Sequence, residues 1–446
     1  MKKLILIPLL VFSSLTKAQE TKTLQLKDAL LFALENKADA KKAKLKVENS
    51  TYQIAEVRSR ALPQIAATGS LTYNPALQMT PIDASALNGP AGTTIMAAFG
   101  RKWNSGAGIS LSQQLFDQSV FIGLKAAKST KEFYQINEQL TEEQLIERVA
   151  NAYYQVYVTR QNLNVLESNL QSTTKVKDII QGLFDNGLAK KIDLDRISVN
   201  ISNIQTQKQK LLNAVSLLEN ALKFYIGMPI QQNITIPQTE FEANPLALLT
   251  APDTTTRTEY LLLKKNEQLL EYQKKSIVAA YYPTLSLSAN FNYIGQGDEM
   301  PWFKNASQNV FWSNFASIGL NLRVPIFSGF GTQARVNQSE NSLKSIKVDL
   351  EETKLGLDLA FENAKKQIEN SLISITNQKE NAKLAQQVLD NINNNYIQGL
   401  ASLTDLLDAE NANTQAKNNY TAAILDYKVA EIQLIKSKGE LKSLLK

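Results

Sequence analysis

Asp405 and Asp408 are the residues that first invite a chemical reading. They stand three positions apart in Asp-Leu-Leu-Asp, so on a helix they share one face, where clustered carboxylates raise one another's pKa and attract cations. Catalysis needs more than that. The chain of 446 residues has no histidine and no cysteine, which removes imidazole bases, thiolate nucleophiles, His/Cys metal sites, disulfides and lipid attachment at an N-terminal cysteine. No GxxxxGK[ST] phosphate loop occurs, and Gly295-Gln-Gly297 and Gly329-Phe-Gly331 are bare GxG fragments of the kind found at turns. The remaining acidic residues fall mostly on solvated helix faces. These absences argue against an enzyme, and neither cofactor nor metal is expected.

The acidic pair lies in a stretch that the chain writes twice. FDNGLAKKIDLD (184–195) and YIQGLASLTDLLD (396–408) each carry an aromatic, then Gly-Leu-Ala, then an aspartate six residues after the glycine. Gly187 and Gly399 permit a tight reversal, because glycine alone adopts positive φ freely. Asp193 and Asp405 then fall in the first turn of the helix that follows, where a carboxylate meets free N–H groups and the helix dipole. Capping accounts for those two aspartates and leaves Asp408 unexplained.

Two further echoes fall in the same order. LPQIAATGSLTY (62–73) matches YPTLSLSANFNY (282–293), and GISLSQQLFD (108–117) matches GLNLRVPIFS (319–328), all at an offset of roughly 211 to 220 residues. The chain is therefore an internal duplication of one structural unit. Leu285, Leu287, Ala289, Phe291 and Tyr293 alternate with Ser286, Ser288, Asn290 and Asn292, the period of a strand with one apolar and one polar face. Residues 65–73, 109–115 and 318–326 alternate likewise, giving two strands per half, each near the ~10 residues that cross a bilayer as a tilted strand. Between the strands lie expected external loops at 74–107 and 294–317, whose Trp103, Trp302, Phe303, Phe311, Trp312 and Phe315 suit an interfacial belt.

Most of what remains reads as helix of unusual length. No proline occurs from about Ser119 to Ile180, a run that would reach roughly 90 Å at 1.5 Å per residue. A similar helix is expected from Phe330 to about Ile397, with shorter ones from about Asp193 to Ile226 and from Asp405 to Leu445. Spacings of seven run through them: Phe361, Ile368, Ile375, Ala382, Leu389 and Tyr396; Ile197, Ile204, Leu211, Leu218 and Tyr225; and Tyr420, Tyr427 and Leu434 beside Ala409, Ala416, Ala423 and Ala430. Strict sevens keep a seam toward a partner helix, as in coiled coils.

The start, MKKLILIPLLVFSSLTKA, has the basic, apolar and small-residue parts of a secretory signal peptide covering 1–18. Its removal halves the net charge of +6, so nucleic acid is not an expected partner. The mature chain divides into a first repeat at 19–227, a proline-bearing equatorial linker at 228–256 and a second repeat at 257–446. No segment has the ~20 uninterrupted apolar residues of a membrane helix, and four amphipathic strands cannot stand open in lipid with unpaired edge groups. Closure requires other copies. The expected fold is all-α dominated with a membrane β-barrel: long coiled-coil helices, and four strands per chain in a barrel shared by two to four copies, of which three would give twelve strands. Ser286, Asn290, Asn321 and Arg323 would line the lumen, and Leu285, Leu287, Leu320 and Leu322 would face lipid. The alternative is a non-conducting exported coiled-coil envelope or adaptor protein, which has no use for four lipid-length strands.

The duplicated strand–helix unit, the VPIFSGF run at 324–330 and Gly399-Leu400 leading to DLLDA at 405–409 resemble the TolC family of outer-membrane channel-tunnels, over nearly all of the mature chain. The resemblance implies a homotrimer in the outer membrane extending into the periplasm. It implies an exit duct of a tripartite efflux pump or a type I secretion system, partnered by a periplasmic adaptor and an inner-membrane transporter of RND or ABC type. It also implies a gated tip at Gly187 and Gly399: Asp405 and Asp408 match the family's aspartate rings at the constriction, and Tyr396 and Asp193 match a tyrosine and aspartate that tie helices across the repeat. The family's second tie, an arginine two residues after the motif glycine bonded to a residue just before the first-repeat aspartate, is missing, since Ala401 and Ile192 stand there.

Overall fold

The computed structural model describes residues 22–237 and 252–445. The expected signal peptide and residues 238–251 of the expected linker lie outside the described residues. In chain order the elements are β1 (Lys22–Thr23), α1 (Leu26–Asn36), α2 (Ala38–Ser59), β2 (Gln64–Tyr73), β3 (Met79–Asp83), β4 (Thr94–Ala98), β5 (Trp103–Phe116), α3 (Gln118–Asp185), α4 (Lys191–Ile226), β6 (Ile234–Thr235), α5 (Thr258–Val278), β7 (Thr284–Gly297), β8 (Val310–Arg323), α6 (Gly331–Ile397) and α7 (Leu403–Lys438). By contacts the chain divides into two units. One holds Met1–Lys46, Gln135–Leu262 and Leu350–Lys446, the other Val47–Tyr134 and Leu263–Asp349. Neither is one of the sequence repeats: each takes segments from both halves, so the duplication is interleaved in space.

The second unit is built on a four-stranded sheet in the order β2-β5-β7-β8, with antiparallel neighbours throughout. Its central pairing, β5 with β7, joins the two repeats. Register keeps each face uniform. Ile65 lies opposite Leu111, Leu111 opposite Ala289, and Ala289 opposite Ile318. One residue on, Gln64, Ser112, Ser288 and Gly319 form the polar row. A one-residue slip would exchange the faces, so the alternation pins the pairing. The apolar face is exposed along β8, with Ile318 81% and Leu320 66% exposed. Among the described residues both sheet edges are open as well, since β2 and β8 each pair on one side only.

The strands run further than the alternation indicates. Trp103 opens β5, Phe311, Trp312 and Phe315 lie within β8, and β7 continues to Gly297, so only Trp302 and Phe303 of the expected belt are loop residues. Aromatic pairs extend the ladders. Tyr73 meets Trp103 at 4.7 Å between ring centres, and Tyr293 stacks on Trp312 at 4.8 Å. Trp312 lies flat over Gly295, where a Cβ would sit 2.8 Å from the indole. At the other end β8 stops at Arg323 rather than Ile326, because Pro325 has no N–H for the ladder and biases Val324 away from regular pairing. Helix α3 then follows β5 directly, its first turn capped by Asp117, whose Oδ1 accepts from the Ser119 amide at 2.8 Å.

The first unit is helical. Seven-residue spacing is cashed in as packing: Phe361, Ala364 and Ile368 of α6 bury against Tyr427, Ala430 and Leu434 of α7. Helix α7 ends at Lys438, short of the expected Leu445, because Gly439 at φ +76° turns the chain and its amide bonds back to Lys436 O. Residues 441–445 continue as a 3-10 turn. A larger cluster gathers Leu24, Leu30, Ile146, Val149, Val156, Leu222, Ile226 and Ile234, where β1 and β6 pair in parallel. The start of the expected linker is thus core material, with Met228, Ile234 and Ile236 buried there.

Candidate functional site

Helices α3 and α6 end in the same way. The amide of Gly187 donates to Phe184 O at 2.9 Å and that of Leu188 to Leu183 O at 2.8 Å; Gly399 donates to Tyr396 O at 3.0 Å and Leu400 to Asn395 O at 2.8 Å. This is the Schellman arrangement, with the glycines at φ +73° and +76°. The usual apolar contact that accompanies it is absent in both, since Leu188 is 76% and Leu400 74% exposed. Two leucines therefore project from the two turns.

A single apolar cluster ties the turns together. Val176 and Ile180 of α3, Ile197 and Ile201 of α4, and Leu403 and Leu406 of α7 are buried in it, with Leu389, Ile392 and Tyr396 of α6 packed alongside. Burying some six aliphatic side chains contributes on the order of 10 kcal/mol before entropy is counted. That cluster fixes where the polar residues of the two motifs stand.

Asp405 is committed locally. Ser402 caps α7, its Oγ accepting from the Asp405 amide at 3.2 Å while the Ser402 amide donates back to Asp405 Oδ2 at 2.9 Å, a capping box. The Ser402 hydroxyl, 2.7 Å from Oδ2, together with that amide holds the Asp405 carboxyl below its ordinary range. Asp408 lies one turn on and exposed. Among the described residues it has no hydrogen-bond or ion-pair partner. Asp193 occupies the equivalent third position of α4, but the cap residue there is Lys190, which provides no side-chain cap. Tyr396 has its pKa raised, by burial first and by the charge of Asp193 second. The two are thus close, although no hydrogen bond joins them among the described residues.

Contacts that sequence reading missed lie around this set. Arg196 Nη1 donates to Thr404 Oγ1 at 3.3 Å, linking the two outgoing helices. Higher on α7, Glu410 is buried at 3% exposure, with Thr173 Oγ1 at 2.9 Å from its Oε2. Ser402-Leu-Thr-Asp405 is a capping-box pattern and could have been read from sequence. Glu410, Asn413 and Lys417 also follow Leu403 and Leu406 at core spacing, a polar interruption of the seam.

A sequence profile of the family "Outer membrane efflux protein" matches residues 31–228 and 264–440. Outer membrane efflux protein BepC of Brucella suis biovar 1 is 24% identical over 453 residues, covering 99% of this chain and 91% of that one. Outer membrane protein TolC of Vibrio cholerae serotype O1 is 22% identical over 347 residues, 75% of this chain and 76% of that one. Among solved structures, the Campylobacter jejuni CmeC outer membrane channel superimposes with a TM-score of 0.72 at 17% identity, covering 93% of this chain and 85% of that one. The family profile covers both repeats and most of the chain, so the protein belongs to the outer membrane efflux protein family, as an efflux or secretion duct of the outer membrane that extends into the periplasm.

Proposed function

We propose that three copies of this chain close one twelve-stranded barrel and form the exit duct of a tripartite pump, gated at the paired turns of Gly187 and Gly399. The observation that carries the reading is the sheet: both edges, β2 and β8, are open and its apolar face is exposed. Open edges in hydrocarbon cost several kcal/mol per unpaired group, and pairing β8 of one copy with β2 of the next removes them. Lipid takes the Leu320 face and water the Ser288 face. The repeats 19–227 and 257–446, joined through 228–256, would each supply two strands to this wall.

In this reading Asp405 and Asp408, repeated around the axis, form the acidic ring that favours cations, and Tyr396 with Asp193 latches the tip in the closed trimer. A phenol–carboxylate bond of that kind contributes roughly 1.5 to 3 kcal/mol, small enough for a partner's binding energy to overcome. With Ala401 and Ile192 in place of the family's second tie, Arg196 to Thr404 provides a polar link between the outgoing helices. Exposed Leu188 and Leu400 offer apolar contacts to a periplasmic adaptor, which would couple the duct to an inner-membrane transporter.

Native absence of cysteine makes the test clean. The unmodified trimer should be SDS-resistant until heated, one cysteine in β2 with one in β8 should cross-link copies into a trimer that survives heating until reductant is added, and planar bilayers should show channels. In those bilayers Tyr396→Phe should raise conductance or open probability, and Asp405→Asn with Asp408→Asn should reduce cation preference. A monomeric, electrically silent protein would overturn the duct; a channel with unaltered Tyr396→Phe or unaltered Asp405→Asn/Asp408→Asn behaviour would overturn the latch or the ring alone.

A further inference from the structure

Roughly three to five turns into the bundle from the paired reversals lies a polar cleft of about 110 Å³ that the duct reading does not use. It is lined by Ser168, Asn169 and Ser172 of α3, Gln386 of α6, and Glu410, Asn413 and Lys417 of α7. Ser168 and Ser172 are exposed at its mouth; Glu410 and Asn413 are buried at its floor, 3% and 6% exposed.

The floor has more acceptors than protons to serve them. Thr173 Oγ1 has one proton and three oxygens within 3.0 Å: Asn169 O, Asn169 Oδ1 and Glu410 Oε2. Gln386 Oε1 takes donors from both Asn413 Nδ2 at 3.0 Å and Lys417 Nζ at 2.6 Å, which fixes the Asn413 amide with its Oδ1 buried and unpartnered. An ionised Glu410 would place a charge at that floor with only the Thr173 and Ser172 hydroxyls to serve it. A neutral Glu410 eases the shortage: its hydroxyl can donate into Thr173 Oγ1, freeing the Thr173 proton for Asn169. Leaving buried acceptors unserved is costly, and more so when the acceptor is charged.

We propose that this cleft is a hydrated proton-binding site in which Glu410 is a neutral carboxylic acid, exchanging its proton with water that enters past Ser168 and Ser172, and that ionisation loosens the contact of α7 with α3. The volume has room for about three waters at roughly 30 Å³ each, and Asn413 Oδ1 is an acceptor for one of them. On ionisation the proton passes to cleft water and a carboxylate remains at the floor. The charged groups facing Glu410 are few. Lys417 lines the cleft from α7 but is held by Gln386, and Gln386 in turn donates to Asp390 at 2.8 Å. The lining from α3 is uncharged. Burial pushes the Glu410 pKa up from 4.5, and the hydroxyls of Thr173 and Ser172 pull it part of the way back. An acid raised in the folded state binds its proton more tightly there than when unfolded, so the α3–α7 contact is strongest in acid and weakens as pH rises from the ordinary value to the raised one.

The test uses the full-length protein in detergent. Infrared difference spectra between wild type and Glu410→Gln should show a neutral carboxyl stretch that persists above the ordinary glutamate range and disappears at higher pH. Intrinsic-rate-corrected hydrogen exchange of 403–414 should speed up across the same midpoint in wild type and stay flat in Glu410→Gln. Ser172→Ala, which removes a hydroxyl that favours the carboxylate, should move the midpoint upward and remains informative should Glu410→Gln fold poorly. A carboxyl ionised at the ordinary glutamate value, an exchange midpoint that survives Glu410→Gln, or a midpoint that Ser172→Ala leaves in place or lowers would overturn the proposal. None of these readouts depends on channel gating.

Discussion

The two turns share a backbone and differ in how the next helix begins. At Gly187 and Gly399 the carbonyl–amide closures match bond for bond, yet α7 starts with a serine–aspartate capping box while α4 starts at Lys190 with no side-chain cap. The duplication has therefore kept the element that only backbone geometry can supply, and has let the polar chemistry diverge. Asp405 is held by Ser402, and its twin Asp193 is left to act on Tyr396. One aspartate is structural at its own helix end; the other is available to a neighbouring helix.

The largest test of that comparison is to break what the turns share. Gly187→Ala and Gly399→Ala each place a side chain at positive φ, and since nothing lies within 4 Å of either added Cβ, the cost is backbone strain alone. We expect about 1–3 kcal/mol at each, similar for the two, read as the local opening free energy by hydrogen exchange. A marked inequality would show that the turns are not equivalent in solution.

Breaking what differs should give a smaller effect. Ser402→Ala should cost about 1 kcal/mol at the start of α7, whereas Lys190→Ala should stay within about 0.5 kcal/mol at the start of α4. The Ser402→Ala deficit also has a pH signature. Asp405 is lowered in the folded state, so its contribution is present above the ordinary value of 3.8 and is lost as pH falls through the lowered one. The gap between Ser402→Ala and wild type should therefore narrow in acid, and NMR titration should find Asp405 nearer its ordinary value in the variant. The smallest expected change concerns the other aspartate. Asp193→Asn should lower the Tyr396 pKa only part of the way, because burial is the larger cause and remains; carbon NMR of labelled tyrosine would register it.

Much of this was legible before any coordinates. Proline-free runs fixed α3 and α6 to within a few residues, and the heptads of Phe361 and Tyr427 packed where their spacing placed them. The strand ends were less legible, since Trp103 and Trp312 broke the simple alternation and are held by cross-strand ring contacts that periodicity does not encode. The capping role of Asp405 was readable from its own neighbours. The Glu410 cleft was not, because Thr173, which meets the Glu410 carboxyl, stands 237 residues away in the chain.

The sequence by itself determined the duplication, the two-faced strands, the reversals at Gly187 and Gly399 and the lack of histidine or cysteine chemistry, because each depends only on residue type and near-neighbour spacing. Tertiary structure alone decided that the repeats interleave into two units, that β5 pairs with β7, and that Asp193 reaches Tyr396. Those outcomes rest on distant segments competing for the same buried surface and the same hydrogen bonds, and such competition is resolved only when the chain is folded.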